Sequence, residues 1–241
     1  MPAVPTAAAP LVLVLDSGAP LVSVTVGRPS KEGGGEVLAL RSMEIARSSR
    51  QLLEMVGEVL AEVGARPRDL GGVAALRGPG SFTGLRIGLS TVLGLHQALG
   101  LPATAVSTLA ALAASLPSEE GGLVVAAVDA LRGEWSAQAF AVGAGGSAPR
   151  PLTGIELVPG SELPGLVGGT AVVTGFGVGR LAELPGWPAG VRLHEAGPLA
   201  PAGLRLAGPP GPAWDPALLT SPFYSRPPAV TVPRERVPAT P

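Results

Sequence analysis

Apolar and polar positions along the chain fall into two alternating patterns. Leu11 to Leu15 is a continuous apolar run that stops at Asp16-Ser17-Gly18, and from Leu21 to Gly27 valines alternate with small or polar residues. A period of two on either side of a Ser17-to-Pro20 turn predicts a β-hairpin. Glu36 to Met43 predicts a third strand, with Gly33-Gly34-Gly35 as the turn before it. The spacing then changes to three and four. Ser48 or Ser49 caps a helix whose apolar residues Leu52, Leu53, Val56, Val59, Leu60 and Val63 share a broad face, and Gly64 closes it. A strand at Gly72–Leu76, a glycine-rich turn, a helix to Leu99 and a short strand at Ala103–Val106 complete the first half.

The same grammar then begins again. Leu123 to Val128 is apolar and ends at Asp129, a turn containing Arg132-Gly133 follows, and Glu134 to Val142 alternates. The chain has only four aspartates (16, 69, 129 and 215), so two of them at equivalent strand ends mark an internal duplication. Duplication of this kind predicts two related α/β lobes with a cleft between them. A strand at Ala171–Thr174 runs into Gly175-Phe176-Gly177, with helical stretches near Val178–Leu184 and Pro198–Leu206. The expected organisation is a disordered extension over 1–10, a first lobe over 11–108, a second over 109–226 and a disordered, proline-rich tail over 227–241.

One segment stands out, Arg77-Gly78-Pro79-Gly80-Ser81-Phe82-Thr83-Gly84-Leu85-Arg86-Ile87-Gly88. Gly78 and Gly80 supply backbone freedom, Pro79 fixes φ, and Ser81 or Thr83 caps the helix that follows. Gly84, Gly88, Thr91 and Ala98 then recur at helical spacing, so a second backbone can come close. The segment is not a P-loop, because no lysine follows and the only lysine of the chain is Lys31. Its glycines read G-x-G-x-x-x-G, one residue too long for a dinucleotide fingerprint. A nucleophile elbow is excluded because Ser81 follows Gly80 directly.

Composition narrows the chemistry further. The net charge is −1 and the 17 basic residues are spread along the 241-residue chain, without the footprint of an autonomous nucleic-acid binder. The lack of cysteine excludes disulfides, thiolate metal sites and a cysteine nucleophile. His96 and His194 stand alone, without metal-ligand spacing. The Ala/Pro-rich start has no positive n-region, so neither a signal peptide nor a membrane span is expected, and the location is cytosolic. Asp16 and Asp129 each have two readings. A carboxylate at a strand end can hold hydrated magnesium beneath a nucleotide phosphate, or it can accept N–H bonds from its own hairpin turn.

Five blocks in order carry a family resemblance: Leu13-Val14-Leu15-Asp16-Ser17; Ser49-Arg50-Gln51-Leu52-Leu53; the glycine-rich segment; Val106-Ser107-Thr108-Leu109; and Asp129-Ala130-Leu131-Arg132-Gly133-Glu134. Together with Pro222-Phe223-Tyr224-Ser225-Arg226, which is similar to a closing Pro-x-Tyr-x-Arg, the chain resembles the TsaB (YeaZ) family of bacterial tRNA threonylcarbamoyladenosine synthesis. The resemblance is dense up to Glu134 and thin from Ala141 to Leu219. It departs at Ser48-Ser49-Arg50, where the family has His-Ser-Glu, and at Leu131, where the family has a basic residue.

The resemblance implies the two-lobed actin, sugar-kinase and heat-shock chaperone fold, of the RNase H-like type. It also implies a non-catalytic subunit that activates the metal-binding paralogue TsaD, acts with the ATPase TsaE and meets tRNA only through that complex. No metal or resident cofactor is implied, apart from room for weak nucleotide binding at the partner interface; Asp16, Ser17 and Asp129 then form a vestigial nucleotide cleft. The expected partner surface, which also makes a homodimer of the chain alone, is Leu52, Met55, Val56, Val59, Leu60 and Val63 on one helix with Gly84, Gly88, Thr91 and His96 on the next. The competing reading is an actin-fold phosphotransferase using Asp16 and Asp129 for magnesium-ATP. An endopeptidase role, a label attached to the superfamily, lacks a histidine pair or cysteine to carry it.

Overall fold

A computed structural model describes residues 9–30, 34–44, 49–117, 122–143, 148–166 and 172–226. Most of the 1–10 extension, the 227–241 tail, Gly33, Ser48 and Ala171 lie outside the described residues. The first hairpin is β1 (Leu11–Asp16) and β2 (Leu21–Pro29), extended by β3 (Gly35–Glu44). Helix α1 (Ser49–Glu62), strand β4 (Leu70–Leu76), helix α2 (Phe82–Leu99) and strand β5 (Ala103–Val106) follow. The sheet order is β3-β2-β1-β4-β5, with β1 antiparallel to β2 and parallel to β4.

After helix α3 (Thr108–Ala114) the unit repeats as β6 (Gly122–Asp129), β7 (Glu134–Val142), the two-residue β8 (Arg150–Pro151) and β9 (Glu156–Pro159). Strands β10 (Val172–Gly175) and β11 (Arg192–Glu195) and helix α4 (Ala200–Ala207) complete it. In the second sheet, β11-β10-β6-β7, β9 pairs with β7 as β3 pairs with β2. β6 is antiparallel to β7 and parallel to β10, matching β1 in the first sheet. The duplicated α/β unit read from the sequence is therefore present in both sheets, with the two-residue β8 lacking a counterpart in the first.

The halves differ in what covers their outer faces. On the first sheet α1 and α2 bury Leu52, Val59, Leu85 and Val92 against Leu13, Leu15, Val24 and Val73. Their counterparts on the second sheet are short 3-10 segments, Gly160–Leu166 and Val178–Glu183, over Trp135, Val125 and Val173. The inner faces share one core in which α3 and α4 meet Val12, Val14, Val124, Ala126 and Phe140. No periodic polar face marks α3 in the sequence, because most of its residues Thr-Leu-Ala-Ala-Leu-Ala-Ala are buried between the sheets. A helix apolar on every side has no periodic polar face to reveal it.

The second lobe expected over 109–226 is not self-contained. α4 packs on the first sheet, where Leu199, Ala202 and Leu204 join Val12 and Val14. Beyond it, Trp214 lies against Gly72, and Leu218 and Leu219 join the first-lobe core beside α2. Among the described residues, no helix is long and apolar enough to cross a membrane.

Candidate functional site

The glycine-rich turn is built from the first hairpin, the start of α3 and the end of the chain. Gly18 accepts the Ser81 amide at 2.8 Å, and Ser81 caps α2 by accepting from the Gly84 amide at 3.3 Å. Of the two candidate caps, Ser81 and Thr83, Ser81 therefore takes the capping role, and Thr83 is exposed. Thr108 brackets Gly78, accepting its amide at 3.1 Å and donating its own amide to the Gly78 carbonyl at 2.9 Å. The Gly78–Pro79 peptide is cis. Gly78 needs its positive φ of 104°, and a Cβ there would also run into the Phe223 carbonyl. Gly80 is required for a different reason than backbone freedom, since a Cβ would lie 2.7 Å from the Gly18 carbonyl oxygen.

The two aspartates occupy matching positions but different surroundings. Each bonds the amide two residues on, Asp16 to Gly18 at 3.1 Å and Asp129 to Leu131 at 2.7 Å. These are the Asx-turns of one of the two readings. Because α2 closes over the first hairpin tip, Asp16 is wholly buried, and its Oδ2 has no hydrogen-bond partner. Burial pushes its pKa up from the usual 3.8 to about 7, against the opposing pull of the Gly18 and Ala19 amides. Buried in this way, Asp16 and the buried Ser17 face no nucleotide cleft; the expected grouping with Asp129 is corrected on that ground.

With only a 3-10 turn opposite it, the second hairpin tip is open. Asp129 makes a 2.7 Å ion pair with Arg180, whose guanidinium lies 4.6 Å from the centre of the Trp135 ring. Both line a cleft of about 630 Å³ with Leu131, Arg132, Ser161 and Glu183. Leu131 and Arg132 hold left-handed backbone, φ 66° and 60°, which costs a non-glycine residue about 1 kcal/mol or more.

The helix stripe expected at a partner surface turns inward. Leu52, Met55, Val56, Val59 and Leu60 are all buried in the first-lobe core, and Val63 packs partly against it. The broad apolar face is consumed because α1 packs on β2, β3 and α2 at once, and the large apolar residue it leaves in solvent is Leu53, 51% exposed. Gly84 and Gly88 are also taken, since a Cβ on either would collide with Ser17. Thr91 bonds the Ile87 carbonyl at 2.8 Å, and the His96 Nδ1 lies 2.6 Å from the Leu101 carbonyl.

A strap over residues 221–226 joins the glycine-rich turn to the second hairpin. The Phe223 amide donates to the Arg77 carbonyl at 2.7 Å, and Arg77 donates to the Ser221 carbonyl at 3.3 Å. Tyr224 packs on Phe82 with ring centres 4.7 Å apart and accepts from Arg86 Nε at 3.3 Å. Arg226 pairs with Glu134 and reaches the Leu131 carbonyl at 3.5 Å. The closing Pro-Phe-Tyr-Ser-Arg motif was the available signal for this strap, but no local pattern revealed where it lands.

Comparison with known proteins agrees with this architecture. Residues 44–145 match the family described as TsaD: tRNA N6-adenosine threonylcarbamoyltransferase. A tRNA threonylcarbamoyladenosine biosynthesis protein TsaB from Escherichia coli (strain K12) is 40% identical over 87 residues, 36% of this chain and 38% of that protein. The Haemophilus influenzae protein of the same name is 35% identical over 101 residues, 42% of this chain and 43% of that protein. The aligned parts thus span less than half the length of these relatives. The solved structure of YeaZ from Pseudomonas aeruginosa is similar over 82% of this chain and 89% of its own, with 29% identity and a TM-score of 0.64. In sequence over part of its length, and in fold over most of it, the chain is similar to proteins named TsaB or YeaZ.

Proposed function

We propose that the chain is an accessory, non-catalytic subunit in the synthesis of N6-threonylcarbamoyladenosine beside the tRNA anticodon, working with a catalytic TsaD-type paralogue and a TsaE-type ATPase. The observation that carries the non-catalytic reading is the engagement of both strand-end aspartates. Asp16 is enclosed under α2, and Asp129 is held by its own turn and by Arg180. A magnesium-ATP phosphotransferase needs those carboxylates together at one cleft with water-bearing metal, so the burial of Asp16 away from the cleft that Asp129 lines favours the accessory role. The names of the TsaB relatives support the pathway.

The partner surface on this reading is the outward face of α1 and α2, where Leu53 is exposed and Ile87 and Thr91 are half-buried. The chain alone pairs with a second copy through the same face, and the paralogue competes for it. Copurification with the paralogue, followed by tRNA modification with and without this chain, tests the proposal. Modification that is lost when the chain is omitted is the expected result. Robust magnesium-dependent ATP turnover by the isolated chain, abolished in Asp16→Ala, would overturn it in favour of the phosphotransferase.

A further inference from the structure

Arginines distant in sequence meet along the strap. Over six residues, 221 to 226, which span at most about 20 Å, it contacts Arg77 and Arg86 of the first lobe and then Leu131, the neighbour of Arg132, in the second. Among the described residues, Arg77, Arg86 and Arg132 meet no carboxylate at ion-pair distance. Arg226, in contrast, is neutralised by Glu134. Among the described residues, three arginines without an ion-pair partner are thus strung along the strap, beside the Arg226–Glu134 and Arg180–Asp129 pairs.

The strip is also preorganised. The Arg86 guanidinium lies 4.0 Å from the centre of the Phe82 ring, and Tyr224 takes its Nε hydrogen. With one face of the plane on Phe82 and Nε engaged, exposed Arg86 keeps its two terminal nitrogens for another acceptor, and such a planar pair can grip a phosphate in two bonds. Arg132 is exposed at the tip of a hairpin whose left-handed backbone is retained at a cost.

We propose that this seam is a phosphate-binding surface for RNA, with Arg86 as the two-bond anchor and Arg77 and Arg132 flanking it. The inference rests on the accessory role in tRNA modification and assigns that role a nucleic-acid face. Charge complementarity selects the occupant, because a polyanion neutralises several unpaired arginines at once and gains by releasing its counterions. The half-exposed Phe82 and Tyr224 rings beside the fork suit an unstacked base better than a smooth duplex.

The test measures binding of unmodified tRNA transcript across a salt series, by the full chain alone and with the catalytic paralogue. Arg86→Gln and Arg132→Gln are each expected to weaken binding by three- to tenfold and to lower the slope of log affinity against log salt by about 0.7–0.9. Arg86→Lys keeps the slope and loses affinity, because charge remains while the fork is gone. Unchanged affinity and slope in both glutamine variants overturn the surface, as does the absence of tRNA binding by wild type in both settings. Lost pairing with the paralogue at unchanged tRNA affinity also overturns it and makes the seam a protein contact. Should Arg86→Gln fail to fold, Arg132→Gln at the exposed tip decides alone. Wild-type tRNA modification in the same preparations separates failure of this surface, with modification intact, from failure of the accessory role.

Discussion

Ser17 and Gly84 are interlocked. The Ser17 hydroxyl donates to the Gly84 carbonyl at 2.7 Å, and the Ser17 carbonyl occupies the space a Cβ on Gly84 would need. Residues 67 apart in sequence thereby seat the first hairpin on α2, which also encloses Asp16. Gly84→Val is expected to cost roughly 2–4 kcal/mol, because backbone rather than a flexible side chain must give way. Ser17→Ala, which removes one hydrogen bond, is expected to cost about 1 kcal/mol. Chemical denaturation of both variants checks the order, and an unchanged midpoint for Gly84→Val contradicts the interlock.

Asp16 gives stability a particular pH dependence. Its folded pKa is raised to about 7 from an ordinary 3.8, so between these values the folded protein binds more protons than the unfolded chain. Its contribution is therefore fully present below about pH 4 and is lost as the pH rises through 7. Asp16→Asn keeps the oxygen that accepts the Gly18 amide and removes the charge. This variant is expected to be more stable than wild type at pH 8 by roughly 2–4 kcal/mol, with the difference shrinking toward pH 4. Thermal melts across pH 4–8 test this; parallel profiles for the two proteins would contradict it.

Helix α1 separates packing from pairing. Val59→Glu places a charge in a fully buried site and is expected to cost more than 3 kcal/mol or to abolish folding. Leu53→Glu, on the exposed side, is expected to leave the melting temperature within a few degrees while weakening pairing with the paralogue and with a second copy. Size-exclusion chromatography and pull-down report the pairing. A folded, monomeric Val59→Glu would put the stripe back at the interface.

The strap is expected to hold the second hairpin in place. In Arg226→Ala, the Ala130 and Glu134 amides, which close that turn through the Glu134 and Leu131 carbonyls, should exchange faster with deuterium. The overall stability loss should be about 1 kcal/mol, because the pair is partly solvated. Unaltered exchange at both amides would show that the turn stands without Arg226.

Much of this fold is written in neighbouring residues. The valine alternation of β2, the three-four spacing of α1, the Ser81 cap and the recurrence of an apolar run ending in aspartate all depend on residues a few positions apart. Local rules therefore suffice to place both hairpins, α1, α2 and the duplication. The direction of an apolar face is different. The stripe on α1 reads as core or as interface until the elements packed against it are known, and only packing shows that Met55 and Val59 lie inside. α3 escapes local reading because a helix buried on all sides shows no period. The seam depends most heavily on tertiary structure, since Arg86 meets Tyr224 across 138 residues and Arg77 meets Ser221 across 144. Basic residues that look evenly scattered along the chain become a strip because the backbone returns from the second lobe to the first. The energy of that return comes from burying Trp214, Leu218 and Leu219, contacts between residues far apart that no local periodicity encodes.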